Sequence, residues 1–353
     1  MTAHDAVSTL SGHRHIVIRP GPWSFRLPVR TLVVIAAMVA ILTVLTVIAA
    51  GSGTYPVAPP DVISVFTGSN TSFDRVVVLE WRMPRILTAI LVGVALGLSG
   101  AIFQILTRNP LGSPDIIGVN TGAYTGALIA MVTFGGGYYA TAVGALIGGI
   151  GVAVVAYLLA YQQGLSGFKL IVVGIAVSAV LSSVNQWIII KINLHAAVAA
   201  AVWSQGTLNG ITWAQSIPMA ACLVASLAAL AVLGLRLPVL QIGDDGAGGL
   251  GVDPDRTRVA YLVVGVTLVA VAAAATGPIS FVALAAPQIA RQLTHSAGIA
   301  LFPSAALGAV LLLGSDVIAQ RAFQPTELPV GAVTICLGGA YLVYLLIKNA
   351  RRI

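Results

Sequence analysis

From Ile116 to Phe168 the chain reads IIGVNTGAYTGALIAMVTFGGGYYATAVGALIGGIGVAVVAYLLAYQQGLSGF, without a single Asp, Glu, Lys or Arg. The same absence recurs between Lys169 and Lys191, between Arg258 and Arg291, and between Glu327 and Lys348. A helix needs about 20 apolar residues to cross a hydrocarbon core roughly 30 Å thick. A surface helix of a soluble protein carries a charged face, and these runs have none. The expected fold class is an all-α membrane protein, a polytopic bundle of transmembrane helices.

Composition agrees. Of 353 residues, 58% are apolar and 8% charged, and mean hydropathy is +0.97; soluble domains carry about 25% charged residues. The 38 glycines suit close helix packing in lipid, where small residues let backbones approach. Gly93/Gly97, Gly122/Gly126 and Gly144/Gly148 all have the four-residue spacing of such contacts. The net charge of +7 does not point to nucleic acid, because the basic residues flank the apolar runs and act there as topology signals. Cys222 and Cys336 lie inside apolar runs and read as small packed residues.

Ten helices are expected, at about 31–50, 86–106, 120–134, 138–160, 170–190, 215–235, 259–276, 279–294, 304–320 and 329–347. Residues 1–30 form a polar lead, and 31–353 the transmembrane domain. The first run has full span length behind a long polar lead, so it reads as a retained helix rather than a cleaved leader. An even number of spans puts both termini on one side. That side would hold Arg14, Arg19, Arg26, Arg30, Arg108, Lys169, Arg236, Arg256, Arg258, Arg291, Lys348, Arg351 and Arg352, leaving Arg75, Arg82, Arg85, Lys191 and Arg321 on the other. Basic residues concentrate on the cytoplasmic side, so both termini are expected there.

Several chemistries are missing. No Gly-Lys dipeptide occurs, so the chain has no Walker A loop for ATP. His-Glu-x-x-His and Gly-x-Ser-x-Gly are also absent, and neither metal-ligand spacing nor a pair of carboxylates appears within a span. The expectation is a non-enzyme with no cofactor or metal of its own. Asp316 is the one clear ionisable residue inside a span, read as a hydrogen-bonded carboxyl near the interface, with an ion path as the rival. Gln104, Asn185, Gln186 and Gln288 read mostly as interhelical hydrogen bonds. In the polar, glycine-rich loop 236–258, Asp244 and Asp245 can cap a short helix and Gly251 can end it.

Five stretches occur in a distinctive order. They are Trp81–Arg85 with Thr107–Asp115 and Ile117–Gly122; Trp203–Gly210; Gly243–Val252; Gly277–Pro287 with Ala290-Arg291; and Glu327–Gly331. Together they resemble the FecCD-type permease subunits of ferric-siderophore and cobalamin ABC importers, from Trp81 to the C-terminus. The resemblance implies a type II importer fold in a bacterial plasma (inner) membrane. It also implies a second permease subunit, paralogous or identical, two cytoplasmic ATPase subunits that carry ATP and Mg²⁺, and an extracytoplasmic binding protein. A ferric-siderophore complex is the implied substrate, with cobalamin or haem as alternatives.

Site residues follow by position. The resemblance assigns ATPase coupling to Gly243, Asp244, Asp245, Leu250 and Gly251, and binding-protein docking to Arg82, Arg85 and Arg321. Arg108, Asn109 and Pro110 shape the inner mouth. Gln162–Lys169 corresponds to the cytoplasmic gate, and Ser178, Ser182 and Asn185 become candidate pore-lining residues on span five. One departure is Pro287-Gln288, where the family often has Pro-His, so no cationic or metal-binding side chain stands there. Two rivals remain open from the residues alone: a self-sufficient secondary carrier and a structural membrane protein with no pore.

Overall fold

The computed structural model describes residues 6–10, 13–18, 25–69, 73–161, 167–234, 236–296, 298, 301–322 and 326–350. The chain opens with an antiparallel sheet of β1 (Ala6–Leu10), β2 (His13–Ile18) and β3 (Phe25–Pro28), in that spatial order. Leu10 lies opposite His13, and Ile18 opposite Phe25. The segment was expected only as a polar lead. Its β-branched residues Val7, Thr9, Ile16, Val17 and Ile18 favour strand.

Every other described element is helical. In order these are α1 (Val29–Gly51), α2 (Pro59–Phe66) and α3 (Phe73–Val76), then a π-helical turn (Val77–Arg82) leading into α4 (Met83–Leu106). There follow α5 (Val119–Phe134), α6 (Tyr138–Ala160), α7 (Gly167–Lys191), α8 (Leu194–Ser204) and α9 (Trp213–Leu233). The short α10 (Arg236–Val239) and α11 (Asp244–Gly249) precede α12 (Pro254–Thr276), α13 (Val282–Thr294), α14 (Leu301–Arg321) and α15 (Val330–Ala350).

A helix stands at each of the ten expected positions, but the number of full-length spans differs. Among the described residues, seven helices are long and apolar enough to cross a membrane. Three expected spans fall outside this number: α15, of which Val330–Tyr344 counts as a shorter apolar helix, and α5 and α13, with 16 and 13 residues, about 24 and 20 Å of helix. Glycines account for the short α5 and α13. Left-handed Gly118 and Gly135 bound α5, and Gly277-Pro278 separates α12 from α13. The short α8 between the fifth and sixth expected spans was not foreseen.

α4 and α12 form the centre: 78% of the apolar window of each is buried, against 11% for α1 and α7. Two pairs of helices meet almost backbone to backbone. Gly93 and Gly97 of α4 face Ser304 and Gly308 of α14, and Gly122 and Gly126 of α5 face Gly144 and Gly148 of α6. A Cβ at any of the glycines would overlap the opposite main chain, with no flexible side chain to yield. The four-residue spacing seen in the sequence is thus matched on both sides of each seam.

We predict that Gly126→Val, which would drive a side chain into the Gly144 carbonyl, lowers the melting temperature of the purified protein or abolishes its monodisperse peak in size-exclusion chromatography. Gly151→Ala, on α6 but with nothing within 4 Å of the added carbon, should leave both unchanged.

Candidate functional site

At one end of the bundle α11 is tied to two other segments through a single carboxylate. Asp244 Oδ1 accepts from Arg108 Nη2 at 2.6 Å and from Arg258 Nη2. Arg108 follows the end of α4 with φ 49°, and its Nη2 also donates to the Leu240 carbonyl at 3.2 Å. Arg258, in the first turns of α12, is nearly buried and also lies 3.6 Å from Asp255. The two guanidiniums, Arg258 foremost, hold the Asp244 carboxyl below the usual carboxylate range. A carboxyl depressed on folding stabilises the fold above its unfolded pKa, and that contribution fades as pH falls through the depressed value.

The expected helix is present, but its cap differs from the expectation. Gly243 occupies the N-cap position with φ 112°, and no side chain caps α11. The Asp244 carboxylate is taken instead by its charge-assisted bonds to Arg108 and Arg258. Gly251 ends the helix as expected, at φ 76°. Its N–H donates to the Gly248 carbonyl and that of Val252 to Ala247, both at 2.9 Å, the paired bonds of a glycine C-cap. Asp245, Ile242 and Leu250 are exposed on this end.

Beside the clamp, Asn109 Oδ1 accepts from the Leu111 N–H at 2.9 Å. The Pro110 carbonyl accepts from Gln288 Nε2 at 2.7 Å, and the same nitrogen donates to Gln104 Oε1 at 2.8 Å. Gln104 Nε2 in turn donates to the Leu284 carbonyl at 3.0 Å. Gln104 and Gln288 are thus interhelical hydrogen-bond groups, and through them Pro110 is fastened to α13. The expected gate falls mostly on residues 162–166, outside the described residues.

The three expected docking arginines gather at the opposite end, each bonded to the chain's own groups. Arg85 Nη2 lies 2.9 Å from Asp316 Oδ1, its Nε 3.1 Å from Oδ2, and its Nη1 3.0 Å from Glu327 Oε2. Asp316 is fully buried and also accepts from Gln320 Nε2 at 2.7 Å. Arg82 donates to the Ala50 and Tyr55 carbonyls, holding the loop after α1, and Arg321 donates to the Ser52 hydroxyl. Next to them the exposed rings of Tyr55, Phe73 and Trp81 pack edge to face, with successive centroids 5.7 Å apart. The sequence reading missed this aromatic cluster, whose members come from separate segments.

Between the two ends, three of the five stretches meet through main chain. The Thr207 N–H donates to the Thr276 carbonyl at 2.8 Å, and the Gly331 N–H to the Gly206 carbonyl at 3.2 Å. A Cβ at Gly206 would strike Pro278, one at Gly277 would strike Trp203, and one at Gly331 would strike Gln205. Asp115 reaches the same junction, since its carboxyl accepts from the Phe281 N–H at the start of α13 and from Asn120 Nδ2. Loss of water around it pushes its pKa up to about 6, against the hydrogen bonds from Ser113, Phe281 and Asn120. Of the candidate pore residues, Asn185 is buried and Ser182 exposed; Ser178 Oγ and Asn185 Oδ1 have no partner. α7 buries little of itself within the chain.

Removing one partner of a buried ion pair costs about 3–5 kcal/mol, because the other charge is left uncompensated. We predict that Asp316→Leu alone lowers the melting temperature sharply, whereas Arg85→Met combined with Asp316→Leu recovers most of the loss in the same thermal assay.

Comparison with known proteins is consistent with this geometry. The model of the FecCD transport family matches residues 41–348. The ferric enterobactin transport system permease protein FepG of Escherichia coli (strain K12) is 46% identical over 301 residues, covering 85% of this chain and 91% of that protein. The iron(3+)-hydroxamate import system permease protein FhuG of Bacillus subtilis (strain 168) is 34% identical over 328 residues, covering 90% and 98%. Among solved structures, a chain of an ABC transporter described as of the metal-chelate type, in an inward-facing conformation, superposes with a TM-score of 0.80. It is 26% identical, and the match covers 90% of this chain and 99% of that one. The chain therefore belongs to the FecCD transport family and is a multi-pass membrane permease of the ABC transport type.

Proposed function

We propose that this chain is the pore-forming subunit of an ATP-driven importer that carries a ferric-siderophore complex inward across the bacterial plasma (inner) membrane. The observation that carries the cargo class is the 46% identity to a ferric enterobactin permease over 91% of that protein's length. The permease would pair with a second permease subunit, identical or paralogous. Both termini and the α11 end would face the cytoplasm, a reading supported by the Lys/Arg asymmetry. ATP and Mg²⁺ would be bound by two separate ATPase subunits, and this chain would bind no cofactor.

α11 has the properties of a contact for such a motor. It is flanked by exposed Ile242 and Leu250, and its Asp244 is bonded to residues flanking α4 and beginning α12. A push on α11 is thereby applied to the two most deeply buried helices of the bundle. At the opposite end an extracytoplasmic binding protein would dock over Arg82, Arg321 and the Tyr55–Phe73–Trp81 cluster. Arginine and aromatic side chains are enriched in the energetic centres of interfaces. Arg85 is committed to Asp316 and Glu327, so its part in docking is to hold that surface in place.

The test is uptake of a radiolabelled ferric siderophore into proteoliposomes containing the chain with its partner permease and ATPase. Uptake should require ATP and the ATPase. Asp244→Ala should reduce uptake at least tenfold while ATP hydrolysis continues. Accumulation by the chain alone under an ion gradient would overturn the proposal in favour of a secondary carrier. Charge reversal at Arg82 and Arg321 should weaken binding-protein affinity, with the largest effect at low salt; an unchanged affinity would remove those two residues from the docking surface.

A further inference from the structure

Among the described residues, three that are not glycine have positive φ: Arg108, Phe281 and His295. Phe281 stands at the N-cap of α13, just past the end of α12, with φ 70° and ψ −29°. Such a backbone is an outlier for a bulky side chain. Across it the Val282 N–H donates to the Ser280 carbonyl at 3.0 Å, which closes the rarer, strained form of γ-turn. Gly277, at φ 76°, turns the chain nearby without that strain. A strained residue persists only where its surroundings over-determine it. The Phe281 N–H is held by the Asp115 carboxyl, and its side chain is held by α15.

A Cβ on Gly338 of α15 would overlap the Cβ, Cγ and Cδ1 atoms of Phe281. The root of the ring therefore lies directly on bare α15 backbone. From Ile335 onward, Gly338 is the one buried residue of α15 among the described residues. Ile335, Leu337, Val343 and Tyr344 are exposed. The Tyr341 hydroxyl accepts from Gln292 Nε2, also on α13, at 3.1 Å. Two turns beyond Phe281, Gln288 Nε2 of α13 donates to the Pro110 carbonyl at 2.7 Å. Arg108, in the same loop as Pro110, is bonded to Asp244 of α11. Contacts thus run without a gap from Asp244 through Arg108, Pro110 and Gln288 to Phe281 and Gly338. Coupling travels through chains of bonded groups and rigid elements of this kind when one member has two discrete arrangements.

We infer that Phe281 is the positioning residue that carries displacement of α13 to α15, so that a push on α11 ends in movement of the last helix. The strained turn is the member with two arrangements. With φ positive the ring is seated on Gly338; relaxation to negative φ unseats it and frees α15. The inference rests on the reading of α11 as the motor contact, and it does not depend on what cargo the permease carries.

The experiment uses the full chain, reconstituted with its partner permease and ATPase, in a Cys222→Ala background. A spin label is attached to Cys336, which is exposed on α15. The paramagnetic resonance line shape is recorded with and without ATP and Mg²⁺, beside the rate of ATP hydrolysis. ATP should change the line shape in the otherwise unaltered chain, and Asp244→Ala should abolish that change. Phe281→Ala should abolish it too, while hydrolysis continues. Phe281→Tyr, which keeps the ring, should retain it, and loss of the change there counts against the ring as the link. No change on adding ATP to the parent chain would overturn the inference. So would a full change in Phe281→Ala when Asp244→Ala has none, and in that case α11 still stands as the motor contact. A change that survives Asp244→Ala removes α11 from that role and this route with it. Should Phe281→Ala fail to assemble, Gly338→Ala takes its place, because the added carbon drives the same ring off its seat from the α15 side; a full change in that variant refutes the link.

Discussion

The bundle rests on direct contact between main chains at glycine. In lipid there is little hydrophobic drive to pull one apolar helix onto another, so association depends on close packing. The seams of α4 with α14 and α5 with α6 supply it, each with small residues one turn apart on both partners. The same device recurs where the helices break. The loops at Trp203–Gly210, Gly277–Phe281 and Glu327–Gly331 touch through their main chains, with Gly206, Gly277 and Gly331 leaving no side chain between them. Their backbone groups are partly satisfied by one another, as at Thr207 with Thr276 and Gly331 with Gly206.

Polar side chains are used sparingly and mostly as fasteners. Gln104, Gln288 and the Pro110 carbonyl hold α13 against the loop after α4. Thr88 and Ser216 link α4 to α9 through their hydroxyls at 2.7 Å, and the Ser99 hydroxyl donates to the Gly265 carbonyl of α12 at 2.8 Å. The ion pairs of Arg85, Arg108 and Arg258 stand at the ends of the bundle. Asn120, Thr141, Ser178 and Asn185 stand apart from this economy, each with an unmatched side-chain oxygen, on α5, α6 and α7.

The helix positions were readable in the sequence because charge-free runs mark them directly. The lengths of α5 and α13 were not, since what shortens them is the backbone conformation of Gly118, Gly135 and the Gly277-Pro278 step. The order of the five stretches was readable, but not that Asp244 binds Arg108 and Arg258, because spacing along the chain carries no information about contacts 136 residues away. For the same reason Asp316 could be picked out as unusual while its partner Arg85, 231 residues earlier, could not be named. The N-terminal sheet was hidden by its polarity; its β-branched residues were present but few.

α4 is anchored at both extremities. Arg85, in its first turn, is gripped by Asp316 and Glu327, and Arg108, just beyond its last residue, is gripped by Asp244. Its 24 residues make a rod about 36 Å long. Such a rod cannot slide along its own axis without stretching one grip or the other. Axial displacement at either surface is thus felt at the far one, and tilting about the α14 seam becomes its least hindered motion.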